Sequence, residues 1–467
     1  MKPGLAADAA APRPRHRALI AMAIFLLASM LFFGFLTQPA DRPLDPGDRE
    51  NLVKFDVILR TLIHPSLAMG DSWGPMTDAH EWLKGQHSTT LYQEIFFDRR
   101  IKFQYPPTAL LPLALLEAVH LPPSLGVLNH INQVALFLCV VATGVLGLSL
   151  ASRAGALQAK GPVARALVVA TVAVASLFFY PVLWSYTTGQ IQVWIDACFV
   201  LACLALLHGR RPAAGMLIGL VCMLKPPFGL YLLWGLLRRQ WRFLLGWIAT
   251  VVPLGLASLF LYGLRNHLDY LAALSYMSRR GESFFPNQSV NGLLNRLLQN
   301  GDNLTFELHD FAPYQPVVYG ATLLTSILLI AGALFLRGRQ ADRGGLHDFM
   351  TAALTFTIAS PIAWTHHYGI LPPILVSLAA ALLAAPDRRG SVALWLTLAA
   401  AYVLSANYFA AANLVAATPF NFVQSYVLLA GLLTLWLLYR VPTPASFARR
   451  PGAPAEPGMP VAAGPSW

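Results

Sequence analysis

About a dozen apolar stretches divide the chain, and the longer ones match the roughly 20 residues that carry a helix across the hydrocarbon core of a bilayer. Only 12% of the 467 residues are charged and the mean hydropathy is +0.55, whereas soluble domains carry about 25% charged residues. The apolar runs are continuous, which favours helices because a helix satisfies its own backbone hydrogen bonds in lipid. We therefore predict an all-α polytopic membrane protein.

The net charge of +11 reflects an uneven distribution of Lys and Arg between two kinds of loop. Of the 33 Lys and Arg residues, 20 fall in the termini and in short loops that would share one side of the membrane. Positive charge in short loops marks the cytoplasmic side, so we attribute the charge to topology and exclude a nucleic-acid partner. These residues are Lys2, Arg13, Arg15, Arg17, Arg153, Lys160, Arg165, Arg210, Arg211, Arg238, Arg239, Arg242, Arg337, Arg339, Arg343, Arg388, Arg389, Arg440, Arg449 and Arg450.

If the loops between successive spans alternate sides from a cytoplasmic N-terminus, the chain has about 12 transmembrane helices. The first of them is predicted to be a retained signal anchor. The segment 106–121 is too short and too rich in Pro for an ordinary span, and we interpret it as a membrane-dipping hairpin. The predicted spans are 18–37, 125–151, 166–185, 190–208, 212–225, 226–237, 243–263, 315–336, 347–364, 368–385, 391–410 and 420–440.

The same alternation divides the chain into a cytoplasmic segment 1–17, a membrane domain 18–440 and a disordered cytoplasmic tail 441–467. Two large loops, 38–105 and 264–314, would lie on the outer face. In the first, NLVKFDVILRTLI and DAHEWLKG have apolar residues at helical spacing and are predicted to form amphipathic helices on the membrane. The four Cys residues fall inside apolar runs, with no disulfide framework and no metal-ligand spacing.

Two acids of the first outer loop are candidates for a functional role. Asp71, in GDSWGPMTDAHEWLKG, could act as a general base for a sugar hydroxyl; it could equally be a solvated loop acid or a helix cap. Asp78 has stronger cap character, because it opens an amphipathic stretch and Glu81 follows three residues later.

Cations at membrane depth form a second group of candidates. Lys225 lies between two apolar runs with no acid beside it in sequence, and a phosphate is its natural partner. Arg99, Arg100 and Lys102 lie where the chain re-enters the membrane, and they fit lipid headgroups as well as an anion site.

Further polar residues follow other outer ends of spans. His366 and His367 cannot both face one point on a helix, so we expect one to contact a phosphate or hydroxyl and the other to pack. The loop with Arg279, Arg280 and FFPNQSVNG offers neutral hydrogen-bonding groups and aromatic faces, which suit a carbohydrate, although it could simply be a turn. Asp196 and Glu117, inside apolar segments, are the acids that a transporter would need.

Four elements of the chain, in order over most of residues 70–370, resemble the motifs of glycosyltransferase family 87. These are membrane transferases that use polyprenyl-phosphate sugars and have the C-type glycosyltransferase fold. The elements are FQYPPTALLPLALLEAVHLP, the block from GQIQVW to LKPP, FFPNQSVNGLLNRLL and SPIAWTHHY.

The resemblance implies a catalytic Asp in the first outer loop, within a Gly-Asp pair. Gly70-Asp71, with Gly85 and Tyr92 beyond it, matches that pattern, so Asp71 takes the role of general base. Gln192 stands where the family usually has Asn, Thr365 where an acid often precedes the His pair, and Pro75 or the displaced Trp73 at an expected aromatic position. These departures bear on which sugar is used.

The resemblance implies transfer of a hexose, with mannose as the expected sugar, from a polyprenyl-phosphate donor to a glycolipid or glycan acceptor, with inversion. It implies the plasma (inner) membrane, an active site facing the periplasm, and no metal or other cofactor. Lys225, His366, His367 and Arg280 would bind the donor phosphate, and the predicted substrate contacts are Tyr105, Gln190, Asn287, Gln288, Trp364 and Asp78. The alternatives are a transporter or flippase of lipid-linked sugars, although we find no internal repeat, and a noncatalytic scaffold.

Overall fold

A computed structural model describes residues 55–85, 90–157, 161–339, 342–385 and 391–448. All regular elements in these ranges are helices, and the one isolated bridge there joins Asn287 to Trp364 in antiparallel fashion. The all-α prediction is therefore confirmed for the part of the chain that is described. The predicted segment 1–17, the signal anchor 18–37 and most of the tail 441–467 lie outside the described residues, and the predicted domain boundaries stay predictions.

The first half of the structure contains nine α-helices, counted over the described ranges. The two segments predicted as amphipathic helices in the first outer loop are helical, as α1 and α2, but α2 begins at Trp73, so the predicted cap Asp78 lies inside it. Short 3-10 helices at Pro65–Leu67, Pro107–Leu110 and Pro226–Leu230 and a π-helix at Tyr92–Asp98 lie between them. The α-helices are α1 (Phe55–Ile63), α2 (Trp73–Lys84), α3 (Leu111–Ala118), α4 (Leu125–Arg153), α5 (Pro162–Leu177), α6 (Tyr180–Thr187), α7 (Gln192–Leu207), α8 (Arg211–Leu224) and α9 (Tyr231–Leu237).

The second half begins with a long helix, α10, which is interrupted at Gly263 (φ 74°). Residues 264–280, predicted to belong to a loop, continue as helix after this break. This half also contains a π-helix at Gly332–Leu336 and short 3-10 helices at Arg337–Arg339, Thr365–Ile370, Ala410–Val415 and Pro419–Ser425. The α-helices are α10 (Trp241–Arg280), α11 (Val290–Leu297), α12 (Pro316–Ala331), α13 (Leu346–Ile358), α14 (Leu371–Ala384), α15 (Ser391–Ala406), α16 (Tyr426–Arg440) and α17 (Ala445–Ala448).

Five helical segments of the described residues are long and apolar enough to cross a membrane, and a sixth counts if the pair α5 and α6, bent by 60°, forms one span. Other apolar helices, including α7, α8 and α15, are shorter. The chain is thus a helical membrane protein, but the predicted total of about 12 crossings is not confirmed. The five segments are Leu125–Arg153, Trp241–Arg280, Pro316–Leu336, Thr365–Ala384 and Pro419–Arg440.

Helices α8 and α10 pack closely because glycine faces each partner. A Cβ at Gly215 would lie 1.9 Å from the carbonyl oxygen of Phe243, and one at Gly246 would lie 2.0 Å from that of Pro212. Small residues at such crossings let helix backbones approach in a membrane, where dispersion contacts drive association. The crossing joins the first turns of α8 to the first turns of α10.

The short basic loops of the chain meet one another away from these last turns. Arg238, at the end of α9, donates to Asp348 of α13 at 2.7 Å and 3.1 Å, and Arg337 donates to Asp342 at 2.6 Å and 2.5 Å. Both guanidinium groups are almost fully buried. Burying a cation is costly unless it is paired; the Arg238–Asp348 pair joins the end of α9 to α13, and the Arg337–Asp342 pair holds Arg337 to the residues before α13.

Candidate active site

Six parts of the chain surround a cavity of about 730 Å³. The walls come from residues 70–105, the turn between α6 and α7, the break between α8 and α9, the last turns of α10, and the segments 284–309 and 359–367. The structure thus brings together segments that the sequence predicted to share one face. Seven predicted site residues line the cavity: Asp71, Tyr105, Gln190, Lys225, Trp364, His366 and His367.

Asp71 is held by the turn that joins α6 to α7. Residues 69–72 run alongside 187–189 and donate backbone hydrogen bonds to them, although neither segment forms a regular strand. The amides of Met69, Asp71 and Ser72 donate to the carbonyl oxygens of Thr187, Thr188 and Gly189 at 2.9, 3.0 and 3.2 Å.

Gly189 permits this close approach. Its φ is +69°, and a Cβ there would lie 1.8 Å from the carbonyl oxygen of Met69. A side chain at this position would push the two segments apart and would also strain the backbone, since left-handed φ values favour glycine. The Gly of the Gly-Gln motif therefore places the carboxylate of Asp71 in the cavity wall.

Gln190 and Ser72 fix the polar groups around this carboxylate. Gln190 Nε2 donates to Asp71 Oδ2 at 3.3 Å, while the Ser72 hydroxyl donates to Gln190 Oε1 at 2.7 Å. The Tyr105 hydroxyl lies 2.7 Å from Ser72 Oγ and donates to it, because the Ser72 proton is already engaged. Burial raises the pKa of Tyr105 to about 12, which keeps its proton in place. Ser72, which the sequence did not single out, is central to this network.

Lys225 lies where α8 ends and the chain breaks at Pro226-Pro227. The residue before a proline avoids the helical region, and Lys225 is accordingly extended (φ −136°, ψ 92°). Its ammonium donates to Gln192 Oε1 at 3.2 Å, and Gln192 Nε2 donates to Asp196 Oδ1 at 2.8 Å. The fully buried Asp196 therefore turns the Gln192 amide so that its oxygen faces Lys225.

His366 and His367 both line the cavity, although one was expected to pack away from it. They belong to the 3-10 helix Thr365–Ile370, and their rings lie 4.7 Å apart at an interplanar angle of 84°. Among the described residues, no three His, Cys, Asp or Glu side chains are grouped to hold a metal ion.

Asn287 and Gln288 are buried and do not line the cavity. The Asn287 side chain accepts from the Ala363 amide at 3.0 Å and donates to the Glu282 carbonyl at 2.8 Å. Gln288 Oε1 accepts the amides of Val427 and Leu428, each at 3.1 Å. Direct sugar contact by these residues stays a prediction; the contacts observed favour a role in holding the loop that carries Trp364 and the His pair.

Two other predicted residues also lie away from the cavity walls. The Arg280 guanidinium lies over the Tyr276 ring, 4.6 Å from its centroid, and Asp78 is an exposed residue of α2. Their predicted contacts with phosphate and substrate receive no support from this placement. Conversely, Trp184, Phe284 and Phe306 line the cavity but were not predicted as site residues, and Lys102, for which the sequence left an anion site and lipid headgroups open, lines it too.

The acids that a transporter would need have local partners. Glu117 accepts from Lys84 at 2.7 Å and lies 3.1 Å from His80 Nε2, so it joins α3 to α2. Asp196 binds Gln192 as described above. Neither arrangement forms a path of ionisable groups, and neither favours transport over catalysis.

The chain is similar to known proteins in both family and sequence. The model of glycosyltransferase family 87 matches residues 103–361, which is more than half of the chain. No solved structure matches the chain significantly, so the C-type architecture stays a prediction.

Curated relatives come from mycobacteria. The chain is 28% identical over 285 residues to a polyprenol-phosphate-mannose-dependent alpha-(1-2)-phosphatidylinositol mannoside mannosyltransferase of Mycolicibacterium smegmatis, covering 59% of this chain and 61% of that protein. A protein of the same description from Mycobacterium tuberculosis is 28% identical over 284 residues, covering 59% and 62%. A phosphatidylinositol pentamannoside mannosyltransferase of M. smegmatis is 27% identical, covering 64% and 68%. The matches thus span about three fifths of the first two relatives.

Proposed function

The chain belongs to glycosyltransferase family 87, as its four motifs predicted, and we propose that it transfers mannose from a polyprenyl-phosphate mannose donor to a glycolipid or glycan acceptor. The donor class follows the printed descriptions of the relatives, which depend on polyprenol-phosphate mannose. The observation that carries the proposal is the meeting of Asp71, Lys225 and the His pair around one cavity.

In the proposed reaction, the acceptor hydroxyl attacks C1 of the donor sugar and gives its proton to Asp71. A bond forms between the acceptor oxygen and C1, while the bond from C1 to the phosphate oxygen breaks with inversion. The electron pair leaves with the phosphate, and the product is polyprenyl phosphate. Gln190 orients Asp71 for this step through its 3.3 Å hydrogen bond, because a general base must lie within reach of the proton that it removes.

Lys225 is the cation best placed to stabilise the leaving phosphate. Its direct partner is the neutral Gln192 amide, so its charge remains available for a charge-assisted hydrogen bond to phosphate. Fixed cations aimed at developing negative charge are a major source of catalysis. His366 and His367 line the same cavity and can donate to the remaining phosphate oxygens.

The apolar part of the cavity suits the lipid of the donor. Leu230, Leu274, Ile330 and Phe356 line it, and they come from the break after α8, from α10, from α12 and from α13. Helices α10 and α12 expose much of their apolar surface, as helices facing lipid do. We infer that the polyprenyl chain reaches the cavity from the bilayer along these residues.

The site is proposed to face the periplasm across the plasma membrane. Helix α8 begins at Arg211, beside Arg210, and ends next to Lys225, so a basic loop and the cavity lie at opposite ends of a helix about 21 Å long. Because short basic loops stay in the cytoplasm, the cavity end points outward. The acceptor would be reached from that side.

The direct test is incubation of the purified protein with polyprenyl-phosphate mannose and a mannoside acceptor, followed by mass spectrometry of lipid extracts. The proposal expects a product one hexose heavier, together with polyprenyl phosphate. The same assay with polyprenyl-phosphate glucose and arabinose identifies the sugar. Movement of intact donor across proteoliposomes without any transfer would instead support the flippase alternative.

A further inference from the structure

One wall of the cavity is aromatic and lies beyond the groups assigned to the reaction. Phe284, Phe306 and Trp364 form it together with Trp184, and this set is called the aromatic wall. The ring centroids of Phe306 lie 5.7 Å from those of Phe284 and 5.8 Å from those of Trp364. The rings of Phe284, Phe306 and Trp364 thus pack against one another, and Trp184 lines the same cavity.

Lys102 borders the aromatic wall. Its ammonium lies 4.4 Å from the centroid of Phe306 and 4.4 Å from that of Phe311, and it forms a salt bridge with the buried Glu282. Lys102 lines the main cavity and also a smaller adjoining cavity of about 130 Å³. An ammonium has three donors, so Lys102 retains the capacity to bind a further oxygen.

The charges at the aromatic wall differ from those at Lys225. Lys102 is paired with Glu282, and Arg100, which lines the same cavity, is paired with Asp310 at 3.2 Å. Lys225, by contrast, contacts the amide of Gln192 directly. Lys102 and Arg100 are therefore already paired with carboxylates, whereas the direct partner of Lys225 is neutral and leaves its charge to balance a phosphate. This end of the cavity favours an uncharged ligand with hydroxyl groups.

We propose that the aromatic wall and Lys102 form the acceptor subsite, and that it binds an uncharged sugar ring. This inference rests on the proposed glycosyl transfer. A sugar ring offers C–H faces that pack on aromatic side chains and hydroxyls that accept from Lys102. The wall is continuous with the loop that carries His366, because Trp364 belongs to both. Asp71 lines the same cavity as this wall.

The subsite predicts selection among three alcohols with equal tails: octyl α-mannoside, octyl α-mannoside 6-phosphate and 1-O-octylglycerol. A site that hydrogen-bonds sugar hydroxyls discriminates against analogues that lack them. We expect octyl α-mannoside to have the lowest KM at saturating polyprenyl-phosphate mannose. Equal use of octylglycerol would overturn the sugar subsite, and preference for the phosphorylated mannoside would overturn its uncharged character.

Phe306→Ala and Phe306→Leu test the aromatic wall itself. Both variants should raise the KM for octyl α-mannoside about tenfold or more, while the inhibition constant of polyprenyl phosphate against the donor stays within about twofold. Leu304→Ala, in the same loop but not lining the cavity, should leave both values unchanged. A change in the inhibition constant without a change in acceptor KM would refute the assignment.

Binding measured without donor separates this inference from the proposed function. Trp184 and Trp364 belong to the wall, so octyl α-mannoside should change the tryptophan fluorescence of the wild type, and Phe306→Ala should weaken this binding about tenfold. Binding without any transfer would contradict the proposed function and leave the subsite intact. Absence of saturable binding would overturn the subsite.

Discussion

Gln190 donates a hydrogen bond from its Nε2 to Asp71 Oδ2 at 3.3 Å, while its Oε1 accepts the hydroxyl of Ser72 at 2.7 Å. One amide therefore links the proposed base to a network that ends at Tyr105. Asp71 and Gln190 are 119 positions apart in the chain, and the turn at Gly189 brings them together. The orientation of the carboxylate thus depends on a residue from a different segment.

Gln190→Ala should lower kcat about 10- to 100-fold, because the base loses its orienting donor while keeping its chemistry. The measurement is steady-state mannosyl transfer at saturating donor and acceptor. Gln93→Ala is the matched control, since Gln93 Nε2 makes a similar amide-to-carboxylate contact with Asp98 at 2.8 Å on the exposed surface. Equal losses in the two variants would argue against an orienting role for Gln190.

Gly189→Ala should abolish transfer and lower the thermal stability. The new Cβ would meet the carbonyl oxygen of Met69 at 1.8 Å, in addition to the strain of about 1–2 kcal/mol for a left-handed φ. Gly209→Ala isolates that strain, because Gly209 has φ +74° and no neighbouring atom within 4 Å of a Cβ. Melting temperatures in detergent and transfer assays would distinguish the two variants. Normal activity in Gly189→Ala would show that the two segments need not touch.

Gln192→Leu should raise the donor KM and the inhibition constant of polyprenyl phosphate about tenfold, because Lys225 loses the oxygen that positions it. The acceptor KM should not change. Asp196→Asn retains an oxygen for Gln192 Nε2, so its donor KM should stay nearer to that of the wild type. If Asp196→Asn were as impaired as Gln192→Leu, the charge of Asp196 itself, and not only its hydrogen bond, would be required.

The sequence motifs identify several of the cavity residues, for a physical reason. Asp71, Gln190 and Lys225 adjoin a glycine or a proline that sets the local backbone, and such positions stand out in sequence. Ser72 and Phe306 do not stand out, because their roles come from contacts between distant loops. Asn287 and Gln288 belong to a motif of equal strength, yet they bind backbone groups. A pattern of residues does not distinguish ligand contact from support of a loop.

The number of membrane crossings was also difficult to predict, because hydropathy does not reveal where a helix breaks. Pro226-Pro227 separates α8 from α9, and α5 meets α6 at an angle of 60°. These interruptions leave apolar helices that are shorter than a bilayer is thick. The helical class followed from composition, whereas the count depends on backbone geometry.

Asn287→Ala should destabilise the loop that carries Trp364 and the His pair. It leaves the buried Ala363 amide and Glu282 carbonyl without their partners, which costs about 2–3 kcal/mol in the free energy of unfolding. Asn303→Ala, which removes one contact with the Ala416 carbonyl, should cost less. Unchanged stability combined with a higher sugar KM would instead support the predicted sugar contact of Asn287.

Stability should depend on pH through Glu282. Burial raises the pKa of this carboxyl from 4.5 to about 7, so between these values the folded protein binds a proton that the unfolded chain does not. The contribution of Glu282 to the free energy of unfolding is therefore present below about pH 4.5 and is lost as the pH rises through about 7. The double variant Lys102→Met/Glu282→Gln removes both buried charges. Its melting temperature should therefore depend less steeply on pH than that of the wild type. Parallel curves would contradict the assignment.

The proposed mechanism depends most on Asp71, the base that takes the proton from the acceptor hydroxyl. The decisive measurement is the rate at which Asp71→Asn, purified in detergent, forms the mannosylated product, compared with the rates of the wild type and of Asp98→Asn. Asp98 is a suitable control because its carboxylate lies on the surface, where it binds Gln93. We predict that Asp71→Asn loses at least about 100-fold in kcat, while its melting temperature and its inhibition by polyprenyl phosphate match those of the wild type. Wild-type turnover in Asp71→Asn would contradict the account.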